Sequence, residues 1–524
     1  MGVLKFSGLF ILLYLCSAAN AASILVLISS LSYSDHLVYR AYVSQLAQKG
    51  HSVVLMTAYP GHFQYPDVER IVELDVSQES GQYWDDHKDL MTNVNDYLPR
   101  IRAINELKLK IAIAQLRSKQ MTALLINPNI KFDLVVTEAD VPLLYAVAEK
   151  YKAPHIAFTT SSGKLHQYEA KGNPIHPAYY LDVNSLNSGQ MSNWEKLVEF
   201  YRHIQTYNDY YYNFQPLCEI AAKKIFDMKR SLLEVEQDID MLFVANNPVL
   251  LGNRPTVPAI RYVDRLHLRP GLHLPQNLQT FLDSATKGIV YFSLGALQEP
   301  EMLAPAILNT LADAFRELPY TILWKIANTT MINKSDNVLA QQWFPQQEIL
   351  AHPNVKAFIT SGGSRSLEEA VFYEVPIIGF PLQKPTKTFI EQITKFGAGE
   401  LLDPYNLEKE TVKSTIEAVV TNEPYKISMS KLRRAAFDPA ISGPETATWW
   451  TEYVLSNKGA RHLRSSAVGS SFTKYFMLDI ALSLGAVILV FIFLAFLILR
   501  YIVRRLLSRF FGKRFDESGK FKAL

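Results

Sequence analysis

The feature that most constrains this chain is a pattern that occurs twice: a short apolar run, a turn, a stretch with apolar residues at helical spacing, then another apolar run. Ser23 to Ser29 (SILVLIS) is followed by a Ser/Tyr/Asp-rich turn, by Leu37 to Lys49 at helical spacing closed by Gly50, and by VVLMT from Val53. Strand, helix and strand in that order predict a parallel pair joined by a right-handed crossover. Strand-like runs at Arg70 to Leu74, Leu134 to Thr137 and His155 to Thr159 extend the first sheet, and the Tyr-rich region from Trp194 to Val235 reads as helix. A second series runs from GIVYFSLG (288–295) through a helix at Met302 to Glu317, the strands YTILWKI, NVLAQQW and VKAFITS, a helix at Ser364 to Tyr373, the strand VPIIGFP, and helices at Lys387 to Phe396 and Lys409 to Val420. Between the series, Pro248 to Pro275 loses periodicity and gathers prolines, which marks a boundary. A chain of 524 residues exceeds one hydrophobic core. The predicted class is therefore α/β, with two Rossmann-like doubly wound domains meeting at a cleft by the carboxyl ends of both sheets.

The two ends carry different signals. MGVLKFSGLFILLYLCSAANA has one Lys, an apolar centre and an Ala19-Asn20-Ala21 exit, the pattern of a secretory signal peptide over 1–21. Ile480 to Leu499 holds no charge and is long enough to cross a bilayer as a helix. The residues after it carry eight Lys/Arg against two acids, which predicts a cytosolic tail and a luminal bulk, a single-pass type I arrangement. Lys520 and Lys522 in the closing KFKAL have the spacing of a dilysine retrieval signal, so the endoplasmic reticulum membrane is the expected location. The formal net charge is only +3 and the tail alone exceeds it, so the remainder is acidic and nucleic-acid binding is not expected. Cys16 leaves with the signal, and Cys218 alone can form no internal disulfide. Asn328-Thr-Thr and Asn333-Lys-Ser are glycosylation sequons, usable in a luminal loop. The expected divisions are 1–21 signal, 22–280 first domain, 281–445 second domain, 446–475 membrane-proximal helices, 476–499 membrane helix and 500–524 tail.

The stretch FITSGGSRSLEEA (358–370) breaks a strand at Gly362-Gly363 into a helix, a place where free backbone N–H groups and the helix dipole favour an anion. It is neither a GxxxxGK[ST] loop nor a GxGxxG turn. Together with WFPQQEILAHP (343–353) before it and EEAVFYEVPIIGFPL (368–382) after it, the stretch resembles the animal UDP-glycosyltransferase family, the UDP-glucuronosyltransferases and insect glucosyltransferases. The likeness runs from the signal through FDLVVTEA, VYFSLG and ARHLR (460–464) to the anchor and basic tail.

That resemblance implies a GT-B fold, an inverting hexosyl transfer, and no cofactor beyond a UDP-sugar co-substrate. The first domain, with the Leu98 to Met121 segment, would take a small lipophilic acceptor, and the second would take the donor, without a metal. Trp343 would stack on uracil, Gln346 would bond it, and Glu369 would hold the ribose diol. Ser293, Gly295, Ser361, Gly362 and Gly363 would surround the diphosphate. His36 would be the general base, oriented by Glu138 with Asp140 as the nearby alternative; a neutral imidazole suits removal of an acceptor proton. Four departures from the family pattern fall together: Ser361 for a His, Ala296 for a Ser, Arg365 for an Asn, and Pro385-Thr386 for the sugar-gripping Asp-Gln pair. Proline cannot replace a sugar-binding carboxylate. With Lys384 and Lys387 nearby, Arg365 is expected to clamp the diphosphate in place of the missing His. An alternative is a catalytically impaired member that binds UDP or a lipophilic ligand without efficient turnover. Self-association, or pairing with a relative, is left open.

Overall fold

The computed structural model describes residues 21–61, 68–93, 96–180, 182, 185, 191–269, 273–295, 303–329, 335–382, 384–437 and 442–511. The signal segment 1–20, Ala296, Asn333, Lys520 and Lys522 lie outside these residues, as does the side chain of Pro385.

The first domain comprises β1 (Ser23–Leu27), α1 (Tyr33–Gln48), β2 (Ser52–Thr57), β3 (Ile71–Asp75), α2 (Tyr97–Leu116), β4 (Leu134–Glu138), β5 (His155–Thr159), β6 (Met241–Val244) and β7 (Ile260–Tyr262), with further helices between them. Its strands form one parallel sheet in the order β3-β2-β1-β4-β5-β6-β7. The second domain comprises β8 (Ile289–Ser293), β9 (Thr321–Lys325), β10 (Val338–Gln341), α3 (Gln346–Leu350), β11 (Val355–Thr360), α4 (Ser364–Phe372), β12 (Ile377–Gly379), α5 (Lys384–Lys395) and β13 (Gly399–Leu401). These strands are also parallel, in the order β10-β9-β8-β11-β12-β13. Each sheet divides two apolar cores, so β1, β2, β4 and β8 are buried at every position. That two-sided burial is why they read as unbroken apolar runs rather than alternating ones.

Three features differ from the sequence reading. The helix after β1 begins at Tyr33 rather than Leu37, because the polar Tyr33-Ser34-Asp35 turn is already helical. The proline-rich segment contains β7, which completes the first sheet at Ile260–Tyr262. Residues packed on the second sheet begin at Leu250 and include Leu278 and Leu282, so the crossing between cores precedes residue 280.

A late helix, α6 (Gly443–Ser456), returns to the first domain. Its Ala447 and Val454 join the core over α1, and Tyr42 and Thr451 share a hydroxyl hydrogen bond of 2.7 Å. Gly443 permits this return: a Cβ there would meet the Asp264 carbonyl oxygen at 1.5 Å. Gly469–Leu524 separates as its own compact unit and contains α7 (Leu478–Phe511). Its apolar side chains are exposed, and the stretch Leu478–Arg509 is long and apolar enough to cross a membrane.

Candidate active site

A cavity of about 390 Å³ opens where the carboxyl ends of β1, β4 and β5 meet the start of α4. The first domain lines it with the 29–32 loop, Asp35 of α1, Leu107, Lys108 and Ile111 of α2, Glu138 at the end of β4, and Asp140 and Val141 after it. The second domain contributes Ser364, Thr386 and Phe389. Another cavity, of about 380 Å³, lies at the amino ends of β5 and β6 among Arg230, Asp238 and Lys458, on the opposite side of the first sheet.

The residues expected to move a proton converge on one serine rather than on each other. The His36 ring is wholly buried: its Nε2 donates to the Ser30 carbonyl at 2.8 Å, and its Nδ1 accepts from Thr57 Oγ1 at 2.9 Å. Since a carbonyl can only accept, Nε2 carries the hydrogen. Burial holds this imidazole down at about 4, so it is neutral at pH 7. Glu138 Oε2 accepts from the backbone N–H groups of Ser29 at 2.8 Å and Ser30 at 2.7 Å. Burial pushes the Glu138 carboxyl up to about 7 against the pull of Lys108. The expected His36–Glu138 pair is therefore not formed; each side chain holds the loop after β1 from a different side. Asp140 does not take Glu138's place either, since it accepts from Lys108 Nζ at 2.6 Å and Gln167 Nε2 at 3.0 Å. Burial opposes its charge, but Lys108 and Lys164 outweigh burial and hold it well below the usual carboxylate range.

In the second domain, Gly362 has φ +88°, and a Cβ there would meet Ile390 Cδ1 at 2.6 Å and the Thr386 carbonyl at 2.9 Å. Glycine lets α5 pack against the turn, while Gly363 has open space and caps α4. Ser361 Oγ donates to the Leu294 carbonyl at 2.8 Å and is buried. Ser293 Oγ accepts from Gly295 N–H at 3.4 Å, and the Gly295 carbonyl accepts from Lys325 Nζ at 2.9 Å.

Two of the three uridine candidates are joined. Gln346 Nε2 donates to Glu369 Oε2 at 2.6 Å and to Ser366 Oγ at 3.1 Å. Burial raises the Glu369 carboxyl to about 7, against the Gln346 hydrogen bond. Trp343 is 55% exposed, with Lys325 Nζ 5.6 Å over its ring and Tyr33 of the first domain set edge-on at 5.5 Å. None of Trp343, Gln346 and Glu369 lines the 390 Å³ cavity.

Arg365 is where the structure departs furthest from expectation. Its guanidinium pairs with buried Glu368 at 2.8 Å and donates to the carbonyls of Thr160 and Ala245, at the ends of β5 and β6. It thus joins the two domains and does not reach out as an anion clamp. His267 sits beside it, 3.7 Å from Glu368 and 3.4 Å from Glu369, and burial followed by Arg365 keeps its ring well below its ordinary value. Lys387 faces Glu391 at 3.9 Å, and Thr386 alone of the expected sugar-contact pair lines the cavity by its described side chain. Asn328 is exposed.

Sequence reasoning did not place Asp35 at the cavity, and helical phase was the available signal. Core positions Tyr39, Val43 and Leu46 place residue 36 on the buried stripe, three and seven residues before the first two. Residue 35 lies about 100° away, on the side that opens to the cavity.

Comparison with known proteins agrees with this architecture. The solved structure described as CalG4, the calicheamicin glycosyltransferase, superimposes with a TM-score of 0.53 at 18% identity, covering 83% of this chain and 99% of that one. This is the GT-B fold of two facing Rossmann-like domains. UDP-glucosyltransferase 2 of Dactylopius coccus is 29% identical over 475 residues, 89% of this chain and 90% of its own length. The ecdysteroid UDP-glucosyltransferase of Spodoptera littoralis nuclear polyhedrosis virus is 28% identical over 506 residues, 91% of this chain and 97% of its own. Residues 22–513 match the family described as UDP-glucoronosyl and UDP-glucosyl transferase, and the chain belongs to that family of glycosyltransferases.

Proposed function

We propose that this chain transfers a hexosyl group, glucose or glucuronic acid, from a UDP-sugar to a small lipophilic acceptor with inversion at the anomeric carbon. The observation that carries the reading is the cavity at the carboxyl ends of the first sheet. It has apolar walls from Leu31, Leu107, Ile111, Val141 and Phe389, and the N-terminal turn of α4 stands on its far side. An apolar acceptor fits those walls, and a diphosphate fits the helix start. The glucosyltransferase names of its relatives support glucose as the first donor to try. Uridine would be held by Trp343 with the Gln346–Glu369 pair. The apolar α7 and the basic residues after it support a type I anchor in the endoplasmic reticulum membrane, with Asn328 on the luminal side. Loss of mass on glycosidase treatment, reduced in Asn328→Gln and abolished when Asn333 is replaced as well, would support that orientation.

The test is thermal unfolding of the full chain with a panel of UDP-sugars. A ligand at about 100 times its dissociation constant adds about 2.7 kcal/mol. Stabilisation by one UDP-sugar together with consumption of a phenol supports the transferase; no stabilisation by any of them removes it. A second reading, a member that binds UDP without efficient turnover, is favoured by the engagement of Arg365 between domains and by the Pro385-Thr386 substitution. Stabilisation without product would select it.

A further inference from the structure

The cavity at the start of α4 has apolar walls and one acid with an oxygen to spare. Leu31, Leu107, Ile111, Val141 and Phe389 supply the apolar lining. Asp35, in the first turn of α1, is half-buried and lines the same cavity. Its Oδ2 accepts from Ser30 Oγ at 2.8 Å, and among the described residues no hydrogen bond or ion pair is found at Oδ1. The serine is itself held: its N–H donates to Glu138 Oε2 at 2.7 Å, and Ser32 N–H donates to its Oγ at 3.0 Å. Asp35 is thereby fixed before any ligand arrives, so a group that meets Oδ1 has little left to order on binding.

The other ionisable groups around the cavity leave that carboxylate uncompensated. They are His87, Lys108, Glu138 and Asp140. Lys108 is spent on Asp140, with its Nζ 2.6 Å from Oδ2. Lys164, which does not line the cavity, lies 3.9 Å from the other oxygen of Asp140 and 3.5 Å from Asn105 Oδ1. Burial holds the His87 ring below its ordinary value, so it is uncharged at pH 7. Glu138, pushed up to about 7 by burial, carries a partial negative charge there. An anion entering the cavity therefore meets acids and, among the described residues, no free cation on the wall. A cation meets a carboxylate oxygen with room for it.

We propose that Asp35 selects the acceptor, and that the cavity takes a small hydroxylated amine, such as a phenol with an aminoalkyl arm, whose ammonium pairs with Asp35 Oδ1. This rests on the transferase reading given above and names its acceptor class. The apolar walls take the ring and its hydrocarbon, and the hydroxyl to be glycosylated lies toward the start of α4, where the diphosphate is expected. A neutral donor would also fill Oδ1, but it would leave the charge of Asp35 unbalanced beside apolar side chains, whereas an ammonium supplies both the hydrogen bond and the countercharge. The cavity, at about 390 Å³, falls in the range that encloses a molecule of this size.

The test uses the full chain in nanodiscs, with and without saturating UDP, and three phenols that share one hydroxyl and differ in charge at the far end: tyramine, para-propylphenol and para-hydroxyphenylpropionate. In calorimetry at pH 7, wild-type protein binds tyramine about 10 to 100 times more tightly than para-propylphenol, with the propionate weakest. Asp35→Asn removes that preference, Asp35→Glu keeps it, and Asp35→Lys turns it toward the propionate. Asp35→Ser serves if Asp35→Asn does not fold. A ratio between ligands measured on one protein does not respond to general damage, which a merely structural role for Asp35 would cause. In turnover with UDP-glucose, the preference appears in KM for the phenol and not in kcat. The proposal is overturned if wild type shows no preference for tyramine, if the preference persists in Asp35→Asn, or if none of the three binds. A preference that depends on Asp35 in a protein without turnover on any UDP-sugar upholds the contact and removes the transferase reading instead. Turnover without a charge preference does the reverse.

Discussion

The two walls of the cleft use their polar residues in opposite ways. On the first-domain wall, buried groups hold one loop still: Glu138, His36 and Asp35 meet at Ser30, and a carboxylate is left facing the cavity. On the second-domain wall, polar residues satisfy one another or reach across to the first domain. Gln346 binds Glu369, and Arg365 binds Glu368 and two carbonyls at the ends of β5 and β6. The first wall is organised as a reaction surface and the second partly as an interface. A guanidinium tied down in this way fixes the relative position of the sheets, and that rigidity comes at the expense of a free cation for the diphosphate.

The largest expected effect tests the interface half of that contrast. Arg365→Ala leaves the Glu368 carboxylate buried without its partner, and breaking a buried pair typically costs about 3 to 5 kcal/mol. Urea unfolding of the full chain should show that loss, and Arg365→Met combined with Glu368→Leu should recover most of it. A stable Arg365→Ala protein with weakened UDP affinity would return Arg365 to the ligand and erase the difference between the walls.

Next in size is an acid effect confined to the first wall. An unfolded histidine takes its proton near pH 6.5, whereas folded His36 resists protonation until about pH 4. The stability it contributes is therefore present above pH 6.5 and is lost as pH falls from 6.5 to 4, by about 3 kcal/mol over that span. Glu138, Glu368 and Glu369, raised to about 7, act in the opposite sense: their folded forms keep protons that the unfolded chain releases above about pH 4.5. The stability difference between wild type and His36→Gln isolates the histidine, and it should fall by about 3 kcal/mol between pH 7 and pH 4. A pH-independent difference would mean that His36 titrates normally and stands open to the cleft.

A smaller effect separates ligand binding from stability on the second wall. Trp343 is more than half exposed, so Trp343→Ala should change stability by no more than about 1.5 kcal/mol, most of it the edge contact with Tyr33. If it stacks on uracil, the same change weakens UDP by about 1 to 3 kcal/mol in calorimetry. Unaltered UDP affinity would take the base away from this tryptophan.

The contrast between the walls also explains which parts were legible in sequence. Both sheets could be read because strands covered on two faces need unbroken apolar runs, as in SILVL and IVYFS. The Gly362-Gly363 turn could be read because one of its residues must adopt positive φ. The three-residue strands β7 and β13 were hidden, since neither length nor period distinguishes them from loop, whereas β12 lies within the longer apolar run VPIIGFP. The return of α6 to α1 was hidden for another reason: the contact of Thr451 with Tyr42 spans most of the chain. Side-chain roles were legible only as residue types. His36 and Asp35 differ by one helical step, and that step decides which of them meets the core and which the cavity. Arg365 was read as a free cation because its partners, the Thr160 and Ala245 carbonyls, are backbone atoms of a distant segment.

The smallest expected effect concerns an aromatic pair that joins the walls. Tyr33, in the first turn of α1, packs edge-on against Trp343 at 5.5 Å and against Tyr59 at the same distance. Such a pair contributes about 0.5 to 1.5 kcal/mol beyond its buried area. A double-mutant cycle with Tyr33→Leu and Trp343→Leu should return a coupling of that size in urea unfolding without ligand. Saturating UDP should abolish the coupling if the uracil takes the indole face, because Tyr33 then loses its neighbour. A coupling that survives UDP would place Trp343 with Arg365 among the groups that hold the walls together, and would leave the Gln346–Glu369 pair to carry uridine recognition.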